Sequence, residues 1–460
     1  MNNPLPLAAG RSPSRGRRLI PGDLSMKFVY TLGAALVAAT LATACGKKEE
    51  AAPAAAPAAA PAAAAKTAVE VLHWWTSGGE AKSAAALKGM MEAKGYEWKD
   101  FAVAGGGGDA AMTALKSRAV SGNPPTAAQV KGPAIQEWAK EGMLANIDNV
   151  AGPEKWDELL PAVVANVMKA DGHYVAAPVN VHRVNWMWVN PAVLEKAGVK
   201  GVPKTWDEFF AAADKVKKAG LVAVAHGGQN WQDFTTFEDV VLGVGGPEFY
   251  QKALVQLDPA ALTSPTMTKA LQTFRKIKSY TDPASPGRDW NLATAMVIEE
   301  KAAFQFMGDW AKGEFAAAGK VPGKDYVCAA APGTGNAYTF NVDSFIMFKL
   351  KDEAAQKAQG ELASAILSPE FQEVFNQNKG SIPVRLGHDM SKFDDCAKLS
   401  SQDFVATAKS GGLVPSVAHG MAISPAAEGA IKDAVSQFWN DDKISVADGV
   451  KNIAKAATNQ

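Results

Sequence analysis

Net charge is the first thing the 460-residue chain lacks: 47 lysines and arginines balance 47 aspartates and glutamates. That balance leaves no positive field for a phosphate backbone, so a nucleic-acid partner is not expected. Cysteine is scarce, with three in the whole chain, which excludes a disulfide-dense scaffold. The six histidines (His73, His173, His182, His226, His388 and His419) show no His-x-x-His or His-Glu-x-x-His spacing, so no metal is expected. No Gly-x-Ser-x-Gly elbow is present. The glycine run Gly105–Gly108 lacks the following Gly-Lys-Ser/Thr of a P-loop, and no cofactor is called for. Fixed-period repeats are absent as well. What remains is a chain that is 47% hydrophobic and 20% charged, long enough for two cores.

The ends of the chain differ from its body. Residues 1–25 are polar and carry Arg11, Arg15, Arg17 and Arg18; Met26-Lys27 then opens the apolar run FVYTLGAALVAATLATA, which stops at Cys45. This is the layout of an export signal, with either Met1 or Met26 as the start. The run is about one turn short of the ~20 residues that span a bilayer. Two readings of its end stand side by side: lipidation of Cys45 after cleavage, or plain cleavage after Ala44. Without residues 1–44 the chain loses five basic side chains and one acid, leaving 42 against 46, a net of −4. Residues 45–68, rich in alanine and broken by Pro53, Pro57 and Pro61, read as a spacer.

From Val69 the pattern alternates. VEVLHWW, FAVAGGGG, TAAQVKG, LVAVAHGG, KAAFQFMGDW and DSFIMFK read as strands. Helices are expected at 81–94, with Ala85, Leu87, Met90 and Met91 as its buried stripe, after a cap at Asp109, and at 202–220, where Thr205 and Glu208 form a capping box. Others are expected near 266–279, 293–300, up to about Gln377, and over 425–439. Alternation of this kind makes an α/β protein with helices covering a mostly parallel sheet. Ligands of such folds sit at strand ends and in crevices between lobes.

Several clusters carry chemistry. Trp74 and Trp75 follow one another on a strand, so they point to opposite faces and one must find a cleft or an edge. A flat indole suits the apolar face of a sugar ring, and Glu80 nearby can accept from hydroxyls. Lys131 ends a strand before Gly132-Pro133, placed to donate into a cleft. Phe306-Met307-Gly308-Asp309-Trp310 repeats the form, with Asp309 either a ligand acceptor or a helix cap. Cys328 and Cys396 can form a disulfide in an exported protein, with buried thiols as the alternative.

The segments VEVLHWWTSGGE, PPTAAQVKGPAIQEWAKEGML, PVNVHRVNWMWVN, KAAFQFMGDW and LSPEFQEVFNQNKGSIPVR span the body of the chain. Together they resemble bacterial ABC-transporter solute-binding proteins of the extracellular sugar-binding type, most of all the periplasmic glucose/mannose-binding proteins. The resemblance implies a two-lobed periplasmic-binding-protein-like fold of type II, with the ligand in the cleft between lobes. Lobe 1 would comprise 69–180 plus about 336–385, and lobe 2 would comprise 181–335 plus about 386–460. By position, Trp74 and Trp75 resemble the family's ligand-facing indoles. Glu80, Lys131, Asp309, Asn341, Lys379 and His419 resemble its polar sugar contacts, and Trp310 a further aromatic wall. His182 and Arg183 lie in a matching segment. The implied function is non-catalytic binding of a monosaccharide, glucose first, then mannose or galactose. A periplasmic monomer would deliver it to ABC permease subunits in the inner membrane. A glycoside hydrolase and a sugar receptor for signalling are the alternatives.

Overall fold

The computed structural model describes residues 65–458. The export signal, Cys45 and most of the spacer lie outside the described residues.

Three larger sheets and a two-stranded pair, Lys169–Ala170 with His173–Tyr174, organise the described residues. In the largest, Ala68–His73 pairs in parallel with Glu97–Ala102 on one side and Ala127–Gln129 on the other. Parallel neighbours need a crossover, and the helices Gly78–Ala93 and Asp109–Val120 supply it. Ser344–Met347 then runs antiparallel between Ala127–Gln129 and Ala176–Pro178. A second sheet has the order Val327–Ala330, Trp186–Val189, Ala302–Phe306, Val222–Val224. The third joins Leu413–Pro415, Tyr338–Asn341 and His182–Arg183.

The packing follows these sheets. One core gathers Val69, Val71, Leu72, Leu87 and Met91 with Phe345, Phe371 and Phe375. A second collects Phe209, Phe234, Phe237, Phe274 and Phe438. A third, smaller one is built on Trp186, Trp188, Trp310, Phe315 and Tyr326. The first draws on residues before 182 and after 337, the second mostly on the chain between and on its C-terminal end.

Local sequence explains several helix ends. Thr205 Oγ1 accepts from the Glu208 amide at 3.3 Å while Glu208 Oε2 accepts from the Thr205 amide at 3.1 Å, closing the capping box ahead of Trp206–Lys218. Lys215, Lys217 and Lys218 fall in its last turn, where the helix dipole favours cations. The helical stretch ending near Gln377 is two helices, Glu353–Leu367 and Pro369–Lys379; Ser368 caps the second, and Pro369 opens it without losing a bond.

Two expectations are corrected. The buried stripe of Gly78–Ala93 runs through Ser83, Ala84, Leu87 and Met91, while Ala85 is exposed. In a run of alanines the side chains are too alike to tell the faces apart. Asp109 is not a cap: Gly108, at φ 112°, holds the cap position, and Asp109 begins the helix with its carboxylate 3.1 Å from Lys432 Nζ. The helical stretch Asn230–Tyr250, broken at Gly246 (φ 77°), had no counterpart in the sequence pattern. It is buried around most of its circumference, polar residues included, so it lacks the apolar stripe by which a surface helix is recognised. Cys328 and Cys396 are joined in a disulfide that ties the second sheet to the helix Asp395–Ser410. Among the described residues no helix is long and apolar enough to cross a membrane.

Candidate functional site

The parallel strands of the first sheet end in loops that converge on a cavity of about 370 Å³. Trp74, Trp75 and Ser77 enter it from the loop after Ala68–His73, and Lys131 from the segment after Ala127–Gln129. Lys379 enters from the end of its helix, which Gly380 (φ 92°) terminates. Opposite stand Trp231, Trp290, Trp310 and His419. His182 and Asn341, from the three-stranded sheet, and Asp343 just beyond it complete the lining.

The adjacent tryptophans lie just past the strand's end at His73, and they divide between core and cavity wall. Trp75 is buried, stacked on His73 at 5.6 Å and packed against Phe345 and Phe375, with Lys379 Nζ 5.9 Å from its ring. Trp74 is half-buried, with Lys131 Nζ 5.3 Å from its ring centroid. The glycine run presses its backbone against indoles on both sides. A Cβ on Gly107 would stand 3.1 Å from Trp231, and one on Gly108 3.1 Å from Trp74. Both have positive φ, so only glycine meets the conformation and the space together.

The electrostatics centre on His182. Its Nδ1 bonds Asp309 and its Nε2 lies 2.9 Å from Asp343. Burial opposes a charge on the ring, but the two carboxylates outweigh it and raise the imidazole above its ordinary value. Asp343, despite its own burial, is held far below the usual carboxylate range by His182 and, further off, Lys379 and Lys131. Gln129 Nε2 and Asn180 Nδ2 donate to its two oxygens at 3.1 and 3.2 Å. Lys379 Nζ pairs with Glu80 at 2.5 Å. Burial lowers Lys131.

His419 behaves oppositely to His182. Burial, then the nearby charges of Lys131 and His182, push it well below the ordinary value, so it is neutral. Thr235 Oγ1 lies 2.9 Å from the Trp231 carbonyl and 3.0 Å from His419 Nε2, and its one proton bridges to one of the two. Two polar atoms in the lining residues, Ser77 Oγ and Asn341 Oδ1, are buried without a hydrogen-bond partner. Orphaned buried polar atoms are costly, and their presence at a cavity points to a ligand that satisfies them.

The cavity thus brings together Trp74, Trp75, Glu80, Lys131, His182, Trp310, Asn341, Lys379 and His419. Asp309 and Arg183 are not part of its lining. Asp309 stands behind His182 and accepts from the Arg183 amide at 2.9 Å; the Arg183 guanidinium is buried over Trp186 and bonded to Asp403 at 2.6 Å. Sequence reasoning missed Asp343, Ser77, Trp231, Trp290 and Asp289. Asp343 lay two residues from Asn341 at the head of a strand. Trp231 follows the glycines of LVAVAHGGQNW, as Trp310 follows the glycine of FMGDW, and that recurrence was a usable signal. Among the described residues no group of three His, Cys, Asp or Glu could hold a metal.

The loop that carries His419 hangs on a buried acid. Glu238 accepts from Ser416 Oγ (2.6 Å), the amides of Val417 (2.9 Å) and Ala418 (3.1 Å), and the Tyr250 hydroxyl (2.8 Å). Burial nevertheless pushes it up to about 7. A folded value above the unfolded one, about 4.3, makes a contribution that is full below pH 4.3 and lost as pH rises through 7. Glu238→Gln should therefore flatten the dependence of stability on pH between about 4.3 and 7. Urea denaturation at a series of pH values checks this, and an unchanged slope would show that Glu238 is not the titrating group.

Residues 75–373 match the family model of the bacterial extracellular solute-binding proteins. A probable sugar-binding periplasmic protein of Brucella suis is 51% identical over 391 residues, covering 85% of this chain and 92% of the relative. Among solved structures, a chitin oligosaccharide binding protein superposes with a TM-score of 0.72 at 19% identity, over 85% of this chain and 98% of that one. The bacterial solute receptor AcbH, described as having an exclusive preference for β-D-galactopyranose, gives 0.71 at 19%, with coverages of 85% and 98%. The architecture is the type II periplasmic-binding-protein-like fold, and the chain belongs to the bacterial extracellular solute-binding proteins.

Proposed function

We propose that this protein captures a sugar in the periplasm and hands it to the permease of an ABC importer, without catalysis. Glucose is the first candidate and mannose or galactose the next. The observation that carries the reading is the pairing of indole faces with unsatisfied polar atoms: Trp74 and Trp310 line the same cavity as Ser77 Oγ and Asn341 Oδ1. A pyranose has apolar C–H faces and a rim of hydroxyls that both donate and accept, so it answers both halves of that set. The sugar-binding name of the Brucella relative supports the substrate class. The galactopyranose preference of AcbH shows that a receptor of this fold can hold one ring. Glu80 and Asp343 are engaged with Lys379 and His182, which suits binding better than an acid–base pair across a glycosidic bond.

In this reading residues 69–180 with about 336–385, and 181–335 with about 386–460, act as two lobes that close on the ligand. Cleft closure shifts the open–closed equilibrium, and the permease reads the closed form. The working unit is a monomer, tethered to a membrane if Cys45 is lipidated.

Isothermal titration with D-glucose, D-mannose, D-galactose and maltose tests it. One-to-one binding of a hexose is expected. Trp74→Ala should weaken it roughly 10- to 100-fold, the loss that follows from exposing an indole-sized apolar contact. No heat from any of the four would remove sugar as the ligand class. Turnover of an aryl glucoside would move the protein to the hydrolases.

A further inference from the structure

The helix Gly78–Ala93 brings Ser77 and Glu80 to the cavity, and its N-terminus is closed from another part of the chain. The first amides of a helix have no partner within it and need one from outside. Ser77 stands at the cap position, yet its Oγ is unpartnered. The Gly79 amide donates instead to Glu314 Oε1 at 2.9 Å, across 235 positions of sequence. Glu314 belongs to the helix Ala311–Ala317, which follows Trp310 in the opposite lobe of the reading above. No ion pair engages its carboxylate among the described residues, so the carboxylate is committed to that amide.

The elements come this close because they meet as bare backbone. A Cβ on Gly79 would stand 2.8 Å from the Gly313 carbonyl carbon, and one on Gly313 would stand 2.6 Å from the Asn378 carbonyl oxygen. Gly380, which ends the helix Pro369–Lys379, is as tight: a Cβ there would lie 2.2 Å from the Asp309 carbonyl oxygen. Gly79, Gly313 and Gly380 thus make a junction without side chains. Two of the helices that meet there carry Glu80 and Lys379, which pair at 2.5 Å in the cavity wall, and the third follows directly on the wall residue Trp310. A carboxylate at a helix N-terminus gains from a charge-assisted hydrogen bond and from the helix dipole. With its two partners in different lobes, that gain exists only while the lobes are together.

We propose that Glu314 is a positioning residue for ligand capture: it caps the cavity-facing helix from the opposite lobe, and so holds the closed form together and slows the departure of the sugar. This rests on the two-lobe sugar-receptor reading above and extends it to a residue outside the cavity lining. Losing a charge-assisted hydrogen bond from the closed form alone should lower the closed-to-open ratio, and the affinity with it, about tenfold. The contact forms after the sugar has entered, so the loss falls on dissociation and leaves association alone.

The test measures association and dissociation of D-glucose, D-mannose and D-galactose by stopped-flow tryptophan fluorescence. It uses the unmodified protein and the variants Glu314→Ala, Glu314→Gln and Glu314→Lys. Glu314 is half-buried on a helix that tolerates all three side chains. Glu314→Ala should speed hexose dissociation about tenfold, with association changed less than twofold. Glu314→Gln keeps an oxygen for the Gly79 amide and should bring dissociation back to within about threefold of the unmodified protein. Glu314→Lys sets a cation against the helix N-terminus and should dissociate at least as fast as Glu314→Ala. Urea midpoints of the sugar-free variants should stay with that of the unmodified protein, which a cap serving the fold alone would not allow. Hexose binding with unchanged dissociation in Glu314→Ala would overturn the role of Glu314 and leave the sugar receptor standing. So would a loss carried by association, or a Glu314→Gln variant as fast as Glu314→Ala. Silence of the unmodified protein with every hexose would bring down both.

Discussion

Replacing Asp343 with alanine should cost about 3–5 kcal/mol of stability and abolish sugar binding, because it leaves the His182 charge buried with one counter-ion instead of two. Gln129 Nε2 and Asn180 Nδ2 lose their acceptor at the same time. Asp343→Asn is the informative companion. It keeps an acceptor for Gln129 but removes the charge, so the imidazole of His182 should titrate at lower pH than in the unmodified protein.

Asp343, held low, stabilises the fold above its unfolded value of about 4 and loses that contribution as pH falls further. His182, held high, stabilises below about 6.5 and loses its contribution as pH rises through its folded value. The pair is therefore at full strength between about pH 4 and 6.5. In Asp343→Asn the alkaline loss should begin sooner, visible in an NMR titration of the His182 ring and in urea midpoints across the same range. An unmoved His182 titration would mean that Asp309 alone sets its charge.

The second large effect belongs to the disulfide. Cys328 and Cys396 are 68 residues apart, and freeing a loop of that length should cost about 4 kcal/mol through the entropy of the unfolded chain. Replacing both with serine, or reducing the unmodified protein, should lower the urea midpoint accordingly. The folded helix Asp395–Ser410 keeps other ties: Asp394 to Lys312 at 2.8 Å and Asp403 to Arg183 at 2.6 Å. Hexose affinity should thus change less than threefold while stability falls. A loss of affinity as large as the loss of stability would show instead that the bond shapes the folded site.

The alternation of strands and helices, the capping box at Thr205, and the candidate residues Trp74, Lys131 and Trp310 were all legible in the chain, because each depends on neighbours a few residues away. An indole pair at the end of a strand, a lysine before Gly-Pro and a glycine ahead of an indole are local patterns with local physical reasons. What the tertiary structure decided is which of these reach the same space. Asp309 and Arg183 sit in segments as suggestive as the rest, yet packing turns Asp309 behind His182 and sends Arg183 toward Asp403. Asp343 gains its role only because Gln129, Asn180 and His182, distant in sequence, converge on its carboxylate. The helix carrying Trp231 and Glu238 is surrounded by other elements, so burial on every side removes the periodicity that would have announced it. Short-range pattern specifies elements; the meeting of side chains hundreds of residues apart is set by how whole faces pack, and the site belongs to that second level.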